Sequence, residues 1–196
     1  MTATSDRPQT AARSWNGLSL PAPGTFTVDP AHTRVGFIAK HLMVTKVRGA
    51  FAELEGSVVI AEDPTQSHAE ATMQAASLST GSPDRDAHVR SGDFLDVETY
   101  PTVSYRSTGI TGVSGDEFTV DGELTIRDVT RPVRLAVEVE GPAGDPWGGE
   151  RIALTARGEI DREEFGLTWN VALEGGGVLV SKKVVLEIEA QAVRTS

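Results

Sequence analysis

The strongest constraint on this chain is an alternation with period two that returns in segment after segment. In residues 117–127 (EFTVDGELTIR), Phe118, Val120, Gly122, Leu124 and Ile126 share one parity, and the charged and hydroxyl residues share the other. Successive side chains of a β-strand point to opposite faces, so such a run is a strand with one dry face and one wet face. The same holds for Val133, Leu135, Val137 and Val139, for Ile152, Leu154, Ala156 and Ile160, and for Val184, Leu186, Ile188 and Ala190. Upstream, Val35, Phe37 and Ala39 alternate, as do Leu54, Val58 and Ile60, then Ala69, Ala71 and Met73, then Val103 and Tyr105. Eight strands are predicted, with no long helix to cover their dry faces. The sheet must therefore close into a barrel or stack as a sandwich.

Two stretches break the alternation. Residues 82–95 offer Ser82 or Asp84 as a helix N-cap and Gly92 as a stop, which predicts a short helix. Residues 161–167 predict a single turn closed by Gly166. The inward parity is light: Gly56, Ala69, Ala71, Ala75, Gly122, Ala156, Gly158 and Ala190 are too small to fill an eight-stranded lumen. The expected object is a tall, narrow, apolar cavity. The alternative is that Phe37, Met73, Phe118 and Trp169 fill it.

Composition removes several function classes. The formal net charge is −10 and no Lys/Arg block occurs, so nucleic acid is not an expected partner, and an acidic surface disfavours tight docking on anionic membranes. Cysteine is absent. No stretch approaches the ~20 apolar residues of a membrane helix, so no stable membrane insertion is expected. The N-terminus lacks a signal-like apolar segment, which makes the cytoplasm the expected compartment. Residues 1–23 read as a flexible tail, with Trp15 and Leu20 as the side chains able to tack it down, and residues 24–196 as one barrel domain.

The run 84–107 (DRDAHVRSGDFLDVETYPTVSYRS) looks like chemistry. Asp86 and His88, with Glu164, are the residues an enzyme would use. Nothing there marks a nucleophile elbow, and a capped helix followed by a Phe94–Leu95 plug explains the same residues. His32, His41, His68 and His88 lack metal-ligand spacing, so no metal is expected. Trp147 and Trp169 each fit two roles, stacking on a ligand or packing at a dimer interface.

Several of these pieces together resemble the YceI-like family. They are the opening strand with Thr33, Val35, Phe37 and His41 before Gly49 and Phe51; the Arg85-Asp86, His88, Arg90, Asp93-Phe94, Tyr100-Pro101 run; and Arg162 with Phe165-Gly166. The resemblance covers about residues 25–193. It implies an all-β, extended eight-stranded antiparallel barrel of lipocalin-like shape with one or two short helices. It also implies a non-catalytic protein that sequesters or carries a long apolar amphiphile, such as a polyisoprenoid, an isoprenoid quinone or a fatty-acid-like lipid. No other cofactor is implied, and a homodimer is common in the family. The expected lining is Phe37, Leu54, Met73, Val103, Tyr105, Phe118, Leu124, Leu135, Val137, Leu154, Phe165 and Trp169, with His41 at the mouth. Met43, Phe94 and Leu95 are expected to form the mouth or plug. Two other readings remain open at this point: an enzyme acting on an isoprenoid or small hydrophobic acid, and a structural dimer module with a filled barrel.

Overall fold

The computed structural model describes residues 12–114, 117–145, 148–173 and 177–195. Its first strands are β1 (Arg13–Trp15), β2 (Leu18–Leu20), β3 (Gly24–Val28), β4 (Arg34–His41), β5 (Thr45–Phe51), β6 (Leu54–Ile60), β7 (His68–Gln74) and β8 (Leu78–Ser79). The helix α1 (Pro83–Arg90) follows, then β9 (Thr102–Ser114), β10 (Glu117–Ile126), β11 (Val129–Gly144), β12 (Glu150–Asp161) and β13 (Val180–Arg194). Every pairing is antiparallel. The order β12, β11, β10, β9, β7, β6, β3, β13 returns to β12, which closes a ring of eight. Of the two arrangements the alternation allowed, barrel or sandwich, the barrel is observed, as the family resemblance implied.

Three walls are broken strands. The β3–β4 wall is interrupted by a 3-10 turn at Pro30–His32, where the Asp29 carboxylate accepts the Ala31 N–H at 3.1 Å and Pro30 has no N–H to place. The next wall is β5 with β6, parted at residues 52–53, and the third is β7 with β8, parted by a 3-10 turn at Ala75–Ser77. β13 joins both halves of the first wall, pairing β3 through residues 192–194 and β4 through residues 180–189.

The N-terminal segment departs from its sequence reading. A hairpin of β1 and β2 stands where a loose tail was expected, with Leu18 and Leu20 buried. Its turn is Asn16-Gly17, both at positive φ, a pair that favours two-residue hairpins and lies in plain sight in the sequence. The hairpin contacts β11, and the Arg13 guanidinium donates to the carbonyls of Ala61 and Glu62 just past β6. β11 and β6 are four strands apart in a ring of eight, on opposite walls. A hairpin touching both must cross the opening between them. Residues 1–11 of the expected tail lie outside the described residues, as does Trp147.

The opposite end is built from α1, the segment after it, and a 3-10 turn at Arg162–Phe165 closed by Gly166 at φ 75°. Ser82, one of the two N-cap positions the sequence offered, is the N-cap, and Pro83 opens the helix. Arg90 ties the helix to β8 by donating from Nε and Nη2 to the Leu78 carbonyl at 3.2 and 2.6 Å.

Candidate functional site

The barrel is hollow. A cavity of about 810 Å³ runs inside it, lined almost entirely by apolar side chains. That volume falls in the ~300–1,000 Å³ range of small-ligand sites. The physical cause is the light inward parity. Ala71 faces Gly56 on one side and Tyr105 on the other, so the mid-barrel layer lacks the bulk to meet across the lumen. Val35, Phe37, Leu54, Ala71, Tyr105, Leu154, Leu186 and Ile188 consequently point inward but stay only partly buried. This excludes the filled barrel that large residues were offered to produce.

Phe37, His41, Leu54, Met73, Val103, Tyr105, Phe118, Leu124, Leu135, Val137, Leu154 and Trp169 all line the cavity, and so do Phe94 and Leu95. Two expected residues do not. Phe165 is 1% exposed in the hydrophobic core. It belongs to the 3-10 turn that lies against β11 and β13, so it is not on a strand face that looks inward. Met43, expected at the mouth or plug, is half exposed at the tip of the β4–β5 turn and is not among the residues that line the cavity.

Several lining residues escaped the alternation. Trp15 and Leu20 come from the end-spanning hairpin. Ile110 has the wrong parity relative to Tyr105 and Ser107, because β9 bulges between the partners of Asp121 and Gly122 and the extra residue re-phases the strand. No local pattern announces that bulge.

Two aromatic rings of the lumen rest on glycines. A β-carbon at Gly122 would fall 2.5 Å from the Tyr105 ring, and one at Gly49 would fall 2.5 Å from Phe37. Tyr105 Oη is buried against that wall with no hydrogen-bond partner among the described residues. Burial pushes its pKa up to about 12, and the Asp121 charge adds to the shift.

The charged run 84–107 resolves into architecture around one rim. Asp86 is buried and accepts from Thr80 N (2.7 Å), Thr80 Oγ1 (2.5 Å) and Ser79 Oγ (3.0 Å). Burial alone would raise its pKa, but these hydrogen bonds, with Arg90 nearby, outweigh burial and hold it below the usual carboxylate value. His88 Nε2 meets Asp93 Oδ2 at 2.9 Å, and the imidazole packs edge-on to Trp169 and Phe94 at 4.4 and 5.1 Å between ring centres. Phe94 and Trp169 complete the cluster at 5.4 Å. The plug residues therefore both close this end and touch the space inside. Asp86, His88 and Glu164 do not converge: the first caps a loop, the second is held by Asp93, and the third is exposed on another element.

A carboxylate with a lowered folded-state pKa stabilises the fold above its unfolded pKa, and that contribution is lost as the pH falls through the folded value. Asp86→Asn is expected to cost about 2 kcal/mol at neutral pH, because the amide presents a donor to donors. The difference from wild type should shrink toward zero below about pH 4, as read by urea midpoints across pH.

A closed eight-stranded barrel with a hollow apolar lumen belongs to the architectural class that encloses one small ligand. The sequence profile of the YceI-like domain matches residues 26–192, and the chain belongs to that family. A UPF0312 protein of Staphylococcus aureus is 34% identical over 171 residues, covering 85% of this chain and 95% of its own. BcnA of Burkholderia cenocepacia superposes with a TM-score of 0.72 at 24% identity, over 84% of this chain and 99% of that one. A polyisoprenoid binding domain from Saccharophagus degradans, implicated in plant cell wall breakdown, superposes at 0.66 with 14% identity, over 89% of this chain and all of that one. Similarity at these identities carries the fold.

Proposed function

We propose that this protein binds a long apolar amphiphile in its lumen and sequesters or carries it, without catalysis. A polyisoprenoid, an isoprenoid quinone or a fatty-acid-like lipid fits. The observation that carries this reading is the continuous apolar cavity of about 810 Å³. Apolar ligand surface buried there contributes ~25 cal/mol per Å², which needs no charged anchor, and the ordering of a flexible chain offsets part of the gain. The Saccharophagus domain, named for binding polyisoprenoid, supports the ligand class. Native purification followed by solvent extraction and mass spectrometry tests it. A co-purifying prenyl, quinone or acyl species is the expected result. An empty protein that also fails to take up farnesol, a quinone or a fatty acid would overturn the reading.

Tyr105→Phe removes a buried donor that has no partner among the described residues. The empty variant is expected to be more stable than wild type by about 1 kcal/mol, seen as a higher urea midpoint at unchanged m.

A further inference from the structure

The β4–β5 turn beside the cavity rim combines three features. Leu42 and Met43 both hold left-handed backbone, at φ 52° and 59°, where glycine and asparagine are at ease and large side chains are strained. Leu42, Met43 and Val44 are 45, 50 and 82% exposed, and with Val171 they are the exposed large apolar side chains among the described residues. Val171 belongs to the same patch: the Leu179 N–H donates to its carbonyl at 3.0 Å, and the Leu42 N–H donates to Leu179 O at 2.8 Å.

The chain has four lysines, Lys40, Lys46, Lys182 and Lys183, and the fold gathers all of them around this turn. Lys40 and Lys46 are direct cross-strand partners, a like-charge pairing that disfavours the sheet. Lys182 and Lys183 lie in the β13 irregularity opposite residues 39–41, where Ser181 Oγ accepts the Lys40 N–H at 2.9 Å. Arg48 continues the same face of β5. Lys40, Lys46 and Arg48 are exposed and have no ion-pair partner among the described residues. Lys182 and Lys183 are exposed pairs with Glu163 (2.7 Å) and Glu159 (2.6 Å), which exchange easily with other anions. Lys40, His41 and Thr45 also form part of the cavity rim.

We propose that this face docks on an anionic phospholipid bilayer. The apolar turn enters the interface, the lysines meet headgroup phosphates with their stems along the apolar patch, and the rim opens beside them. The strain in the turn fits this role, since Leu-Met serves the fold less well than Asn-Gly would. A second copy fits worse, because a two-fold interface would set lysines against lysines. Docking stands on the surface alone, and only the passage of lipid through the rim rests on the cavity reading.

The test is co-sedimentation of the full chain with vesicles of phosphatidylcholine alone and of equimolar phosphatidylcholine and phosphatidylglycerol. Binding to the anionic vesicles only, weakening as salt rises, is expected. Lys40→Glu with Lys46→Glu should weaken it by more than about tenfold, at roughly fivefold for each lysine removed. Leu42→Asn with Met43→Gly should also weaken it while folding at least as well, and should leave lipid uptake from detergent unchanged. Equal binding to both vesicle types, or wild-type binding by both variants, would overturn docking. So would a sedimenting dimer that dissociates in the turn variant, which would assign the patch to a second copy. Ala71→Trp separates the two proposals. Docking without uptake in that variant leaves both standing, whereas docking by a wild type that takes up no lipid sinks the cavity reading alone.

Discussion

Ala71→Trp is expected to abolish lipid uptake, with affinity falling by at least about a hundredfold, or ~2.7 kcal/mol. Ala71 sits mid-lumen between Gly56 and Tyr105, and Gly122 lies beneath the Tyr105 ring. An indole there divides a narrow cavity whose free space exists because this layer is small. The lumen is empty at that point, so the fold should survive at a cost of about 1–3 kcal/mol for imperfect fit, with a single cooperative urea transition. Uptake measured by quenching or displacement of a fluorescent fatty acid reads the result. A folded variant with unchanged uptake would remove the lumen as the site.

Arg162→Met is expected to be the most damaging substitution for stability. Arg162 is 3% exposed, and its guanidinium donates to the carbonyls of Ser181 (Nε, 3.0 Å), Leu167 and Val180. Burial lowers its pKa, and Glu163 and Asp161 partly restore it. These donations join the turn after β12 to the start of β13, and the Phe94 ring lies 5.9 Å from the charge. Methionine keeps the bulk but leaves the Ser181 and Leu167 carbonyls without this donor, at about 1–3 kcal/mol each before relaxation, or roughly 2–5 kcal/mol in all, while the Val180 carbonyl keeps the Asn170 Nδ2–H at 2.8 Å. Against a typical total of ~5–15 kcal/mol, that is a large share of the stability of the fold. Lysine should not rescue it, since one ammonium cannot reproduce the planar fork. A urea midpoint within error of wild type for either variant would show that these bonds carry little weight.

Much of the site was legible because side-chain direction in a strand is set by the backbone one residue at a time. The parity of Phe37, Leu54, Met73, Phe118, Leu135 and Leu154 puts each on the lumen wall, and each is there. The small residues on that parity already implied a hollow lumen. Phe165 misled because a 3-10 turn breaks the period and sends its ring into the core. Ile110 was hidden by a bulge, and the hairpin's burial by a composition that resembles a tail. The Asp86 and His88 chemistry dissolved once their partners, Thr80, Ser79 and Asp93, were known.

The sequence alone determined the long strands, their dry faces and the thinness of the layer that becomes a cavity, all consequences of local geometry. Closure of the ring by β13 on β3 and β4 was decided by pairings between residues more than a hundred positions apart. The same long-range contacts brought Lys40 and Lys46 beside Lys182 and Lys183 and left one basic, apolar-tipped face on an acidic chain. Charge is counted along a sequence, but a surface potential depends on distances that only the closed barrel sets.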